Sequence, residues 1–218
     1  MASLRKLIIC PYFGPFPEWM DLFLADFEKT MKPAGYDLLI DTDIEEFKKR
    51  VIKRLGIEYP GTYGNPKPWD YRCALGLLYQ EELEEYDYWA HADFDVVFGR
   101  VEEFLPDSEI SKWDVFSNHH SYVNGCFSLY RNHISVNYLF MRHPQWREFL
   151  IHPEPNGWIE TDYSRLLESS GLKYRYAFYQ GWPYTTSPSL AITPDGRLYQ
   201  DGEEIMMFHF RRSKKWPL

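Results

Sequence analysis

Cysteine is scarce in this 218-residue chain, basic charge is in deficit, and no apolar run is long enough to cross a membrane. The three cysteines, Cys10, Cys73 and Cys126, are odd in number, far apart and each set in an apolar run. That pattern excludes a disulfide framework and predicts reduced core thiols, as in a cytoplasmic protein. The opening Leu-Ile-Ile-Cys run stops at Pro11, too soon for a signal peptide or a transmembrane segment. Lys and Arg number 24 against 32 Asp and Glu, a net charge of −8 that disfavours nonspecific nucleic-acid binding. Repeats, low-complexity stretches and long linkers are also missing, so a single domain over residues 1–218 is expected.

Aromatic residues are abundant at 18%. Rings offer large contact area at low entropy cost, which suits both an α/β core and flat or cyclic ligands. The charge is unevenly spread. Residues 81–103 hold nine acids and one Arg, whereas the segment after Phe208 carries Arg211, Arg212, Lys214 and Lys215 and no acid. An acidic centre and a basic tail of this kind suit opposite sides of an anionic ligand.

Hydrophobic periodicity orders the chain. Lys6–Cys10 reads as a buried strand, and Trp19, Phe23, Phe27 and Met31 recur at i+4 as a helix face. Tyr36–Ile40 is a second strand. Thr42 with Glu45 reads as a capping box, ahead of a helix carrying Phe47, Val51 and Leu55 and stopped by Gly56. This βαβα order predicts an α/β fold with a mostly parallel sheet flanked by helices. A helix over Trp69–Leu83, strands at Asp114–Asn118 and Cys126–Tyr130, a helical stretch over His133–Leu150 broken at Pro144, and a helix over Asp162–Ser169 follow. Turns at Pro194-Asp-Gly196 and Asp201-Gly202 bracket a C-terminal β-hairpin whose last strand is Ile205–Phe210.

The segment Tyr88–Gly99 carries most of the chemistry. An apolar strand delivers two carboxylates one residue apart, Asp93 and Asp95. Ligands of open α/β sheets bind at the carboxyl ends of strands, and paired acids there suit a divalent cation that in turn holds a diphosphate. Asp41-Thr-Asp43 repeats the spacing without the same context.

Five elements in order resemble the GT-A-fold glycosyltransferases, in particular small microbial and viral members acting on cell-surface or capsular glycans. They are Leu-Ile-Ile-Cys-Pro-Tyr-Phe, Lys-Pro-Trp-Asp-Tyr-Arg, Ala-Asp-Phe-Asp, Gly-Cys-Phe-Ser-Leu-Tyr-Arg-Asn, and Phe-His-Phe with a basic tail. The resemblance implies metal-dependent transfer of a sugar from a nucleotide-sugar, a UDP-sugar foremost, to a hydroxyl of a glycan or glycolipid. It also implies a peripheral membrane association through such an acceptor. Residues 1–100 would be the nucleotide-binding half, ending in the DxD motif, and residues 101–218 the acceptor half.

By the same resemblance, Pro11, Tyr12 and Phe13 meet the nucleoside, and Asp41 and Thr42 meet base or ribose. Asp70 and Arg72 face the donor, with Lys67 a weaker candidate. Asp93 contacts ribose, sugar or metal, Asp95 ligates the metal, and His209 is the third protein ligand. Carboxylates, imidazole and phosphate oxygens suit Mn²⁺, with Mg²⁺ the alternative. Asn124 and Gly125 are assigned to the donor sugar or acceptor pocket, and Arg211, Lys214 or Lys215 to the leaving diphosphate. Gly157-Trp-Ile-Glu-Thr-Asp162 resembles the segment that carries the base of inverting enzymes. Asp162 is favoured over Glu160, and a retaining mechanism, which needs no such base, stays open. Trp158 and Trp182 are acceptor-platform candidates that suit core packing equally. Two other readings compete. A sugar nucleotidyltransferase shares the paired acids but opens with a glycine-rich basic loop, whereas Pro11–Pro17 has one Gly and no Lys or Arg. A non-catalytic nucleotide- or glycan-binding module would bind without transfer.

Overall fold

The computed structural model describes residues 3–181 and 189–210. Strands β1 (Lys6–Pro11), β2 (Tyr36–Asp41), β3 (Tyr88–Ala92), β5 (Val115–Ser117), β6 (Phe127–Arg131) and β7 (Tyr174–Tyr176) form the central sheet, in the order β2-β1-β3-β6-β5-β7. The short strand β4 (Val96–Phe98) lies outside it. Strand β6 alone runs against the others, so the sheet is mixed but mostly parallel.

Alternation along β1 explains why its run is apolar throughout. Leu7 and Ile9 enter one core and Ile8 and Cys10 the other, because successive side chains point to opposite faces. The first core packs under helix α2 (Ile44–Leu55) through Phe47, Val51 and Leu55. The second packs under helix α1 (Met20–Asp26) and its π-helical continuation Phe27–Met31. Both faces of the sheet are therefore covered, as the sequence pattern predicts. Among the described residues no helix is long and apolar enough to cross a membrane.

Two local features differ from the expected ones. Helix α2 is capped by Asp43, not Thr42: the Asp43 carboxylate accepts the N–H groups of Glu45 and Glu46 at 3.0 Å each. The stretch after Pro66 is a 3₁₀ helix over Lys67–Ala74 and one α turn over Leu75–Leu78, not a helix to Leu83. Nearly all of it is buried, so there is no solvent face for a regular amphipathic helix to present.

The C-terminal region makes more than one hairpin. Strands β8 (Gln180–Gly181), β9 (Leu190–Ile192), β10 (Leu198–Gln200), β11 (Glu203–Ile205) and β12 (Met207–His209) fall into two small sheets. β9, β10 and β11 form an antiparallel meander, with Asp201 and Gly202 at φ of 52° and 87° in the two-residue turn. Two consecutive positive φ values match the twist of a tight hairpin. The expected strand Ile205–Phe210 divides at Met206: β12 leaves the meander to pair with β4 and β8.

Candidate active site

Strand pairing assembles the site. Asp93 directly follows β3, and its N–H donates to the carbonyl of Cys126 at 3.0 Å, across the β3–β6 ladder. Three residues on, β4 pairs with β12 in a register that sets Val96 against His209. Phe210 N–H then donates to the Asp95 carbonyl at 3.0 Å. Residues from β3, β4, β6 and β12 thus meet at one point, beside a cavity of about 470 Å³.

His209 Nε2 lies 3.3 Å from Asp95 Oδ1 and 4.0 Å from Asp93 Oδ2. This nitrogen is buried and makes no hydrogen bond among the described residues, despite its nearness to two carboxylates. A divalent ion with bonds of about 2.1 Å holds adjacent ligand atoms about 3 Å apart and opposed ones about 4 Å apart. The orphaned nitrogen and the two carboxylates therefore fit Mn²⁺ or Mg²⁺. Cys126 lies beside them: one atom each from Asp93, Cys126 and His209 lie within 4.8 Å of one another. Cys126, expected as a core thiol, is only partly buried and lines the cavity.

Charge around the point is arranged in layers. Arg72 Nη2 donates to Asp93 Oδ1 and its guanidinium sits over Trp69. Burial, and secondarily Arg72, pushes the buried His91 down to about 3, so its ring is neutral. Its Nε2 is 3.0 Å from the Asn124 carbonyl. Burial, then Asp93, holds the Cys126 thiol well above its ordinary range.

Of the residues singled out in sequence, Pro11, Tyr12, Asp70, Arg72, Asp93, Asp95, Gly125, Glu160 and His209 line the cavity. Gly125 is where two of them converge: a Cβ there would sit 2.7 Å from Arg72 Nη1 and 3.1 Å from Glu160 Oε1. Asp70 turns its carboxylate away, to the buried Lys67 ammonium at 2.8 Å and to the N–H groups of Asn156 and Gly157. Lys67 also donates to the Phe149 carbonyl, so this pair ties down the 154–157 loop that leads to Glu160.

Other candidates lie elsewhere. Phe13 packs against Phe47 and Tyr59 in the core. Asp41 accepts from the Tyr79 hydroxyl at 2.6 Å and from Asp43 N–H. Thr42 faces a shallow groove beside Leu24 and Ile40. Asn124 is buried and holds a turn, accepting from Cys126 N–H and donating to the Asn118 carbonyl. Asp162 accepts from the Thr161 hydroxyl and pairs with Arg165, away from the cavity lining. Trp158 is buried, stacked on Phe149, and donates to the Asp70 carbonyl. Trp182, Arg211, Lys214 and Lys215 lie outside the described residues. Trp19 and Trp69 line the cavity without having been singled out for it.

A mostly parallel sheet flanked by helices, shared with the solved viral glycosyltransferase structure below, is the GT-A type of α/β fold. The chain belongs to the family of unknown function DUF6625, whose profile matches residues 8–174. No functionally curated protein matches it. Among solved structures, it is similar to a glycosyltransferase involved in glycosylation of the major capsid of PBCV-1, at 12% identity and a TM-score of 0.50, covering 95% of this chain and 94% of that one. It is also similar to a Drosophila β1,4-galactosyltransferase 7 variant in complex with manganese, UDP-Gal and xylobiose, at 15% identity and a TM-score of 0.44. That match covers 79% of this chain and 65% of the galactosyltransferase. Mouse xyloside xylosyltransferase 1, in its apo form, matches over the full length of both chains, at 8% identity and a TM-score of 0.48. The shared fold is carried by the PBCV-1 comparison.

Proposed function

We propose that the chain is a metal-dependent glycosyltransferase that moves a sugar from a nucleotide-sugar, a UDP-sugar foremost, to a hydroxyl of a glycan or glycolipid. The observation that carries this reading is the meeting of Asp93, Asp95 and the orphaned His209 Nε2 at one cavity. Residues 1–100 hold the donor, with Pro11 and Tyr12 against the nucleoside, and residues 101–218 shape the acceptor side. A bound Mn²⁺ or Mg²⁺ supplies positive charge to the departing diphosphate.

The chain's own groups do the rest. Arg72, fixed by Asp93, presents its remaining N–H groups to a donor phosphate or sugar hydroxyl. In an inverting transfer, a carboxylate takes the proton from the acceptor hydroxyl as its oxygen bonds to the sugar and the sugar–diphosphate bond breaks. Glu160 takes that role over Asp162, because Glu160 lines the cavity and Asp162 does not. Arg211, Lys214 and Lys215 meet the leaving diphosphate in this reading. Asp95→Ala tests it: release of UDP from a panel of UDP-sugars with Mn²⁺ should fall at least a hundredfold in a variant that stays folded. Undiminished, Mn²⁺-dependent turnover by Asp95→Ala would refute the site.

A further inference from the structure

His209 makes a second contact through its other ring nitrogen. His209 Nδ1 lies 2.9 Å from Cys126 Sγ, whereas the carboxylates face Nε2. An imidazole ligates through the nitrogen that carries no proton, so the partner of its other nitrogen decides which tautomer is available. That partner is usually a carboxylate, a backbone carbonyl or water. Here it is a sulfur atom, itself held in place: Asn124 Oδ1 accepts the Cys126 N–H at 2.9 Å, and the Cys126 carbonyl accepts from Asp93 N–H.

We propose that Cys126 is the positioning residue of the metal site, its sulfur accepting the Nδ1 proton of His209 so that Nε2 faces Asp93 and Asp95 with its lone pair free. The chain of support runs from the buried Asn124 through Cys126 to His209. It gives Asn124, which does not line the cavity, a role at the site. The sulfur faces Nδ1, so Cys126 orients the ligand without being one.

This inference rests on the metal-site reading above, and the test separates the two. Mn²⁺ affinity is measured by the loss of the free-ion electron paramagnetic resonance signal for wild type, Cys126→Ala, Cys126→Val and Cys126→Ser, each first checked for cooperative thermal unfolding. Cys126→Ala and Cys126→Val, which offer no acceptor, should bind Mn²⁺ roughly 10–100-fold more weakly. Cys126→Ser, which keeps an acceptor, should recover most of the affinity. Co²⁺ should bind wild type without a thiolate charge-transfer absorption. Wild-type affinity in both Cys126→Ala and Cys126→Val would overturn the inference, and so would a thiolate–Co²⁺ band that vanishes in Cys126→Ser, because it makes sulfur a direct ligand. A wild-type chain that takes up no Mn²⁺ would overturn the metal reading and this inference with it.

Discussion

Two carboxylates two positions apart, Glu160 and Asp162, show what a single side chain's surroundings decide. Both belong to the segment that sequence resemblance assigns to the base. Asp162 opens a helix, pairs with Arg165 and lies off the cavity, whereas Glu160 lies on its wall beside Gly125. Glu160→Gln should therefore lower kcat by about 10²–10⁴, the usual worth of a general base. Asp162→Asn should stay within a few-fold of wild type. Initial rates of UDP release in the presence of acceptor would distinguish them, and the reverse ranking would move the base to Asp162. The motif's chemistry was legible in the residues, but its aim was not, since three positions of 3₁₀ helix decide which carboxylate turns inward. Cys126 teaches the same lesson. Its neighbours make it look like core, and only the β3–β6 register puts it opposite Asp93.

Elements were easier to read than their ends. The first two strands, helix α2 and its Gly56 stop all follow from apolar periodicity, because local pattern and burial agree there. The cap of α2 depends on which of two adjacent polar side chains reaches the first free N–H groups, and backbone direction settles it for Asp43. Asp43→Ala should cost about 1 kcal/mol in urea unfolding, and Thr42→Ala a few tenths at most. Equal losses would restore the capping box. Long-range pairing was the least legible. Nothing in Met-Met-Phe-His-Phe says that β12 leaves its neighbouring hairpin for β4, yet that exchange brings His209 to Asp95. Apolar patterning alone makes His209 a buried strand residue; its candidacy as a ligand comes from the resemblance, not from any sign of this pairing.

For the molecule as a whole, buried ionisable groups tie stability to pH. Burial raises the Asp26 carboxyl from its ordinary 3.8 to about 7, opposed by the Phe98 N–H it accepts at 2.7 Å. Between about pH 4 and 7 the folded chain keeps a proton that the unfolded chain has lost. This contribution is therefore complete below pH 4, falls as pH rises through that window and levels above it. Asp26→Asn keeps an acceptor for Phe98 N–H and should remove the fall, gaining on the order of a few kcal/mol at pH 8. His91 acts in the opposite sense. Its folded value of about 3 costs stability as pH drops below 6.5, because the unfolded chain then binds the proton first. Urea unfolding of wild type and Asp26→Asn from pH 4 to 8 separates the two, and parallel curves would contradict the Asp26 assignment.

In the proposed function a nucleotide diphosphate is held through a metal at Asp93, Asp95 and His209. The most direct test is thermal unfolding with UDP, GDP and CMP, each with and without Mn²⁺. A ligand at a hundred times its Kd adds about 2.7 kcal/mol, a rise of roughly 5–10 °C for a chain of this size. That rise is expected with UDP only when Mn²⁺ is present, and it should be lost in Asp95→Ala. A UDP shift that is the same with and without Mn²⁺, or no shift with any nucleotide, would contradict the proposed function.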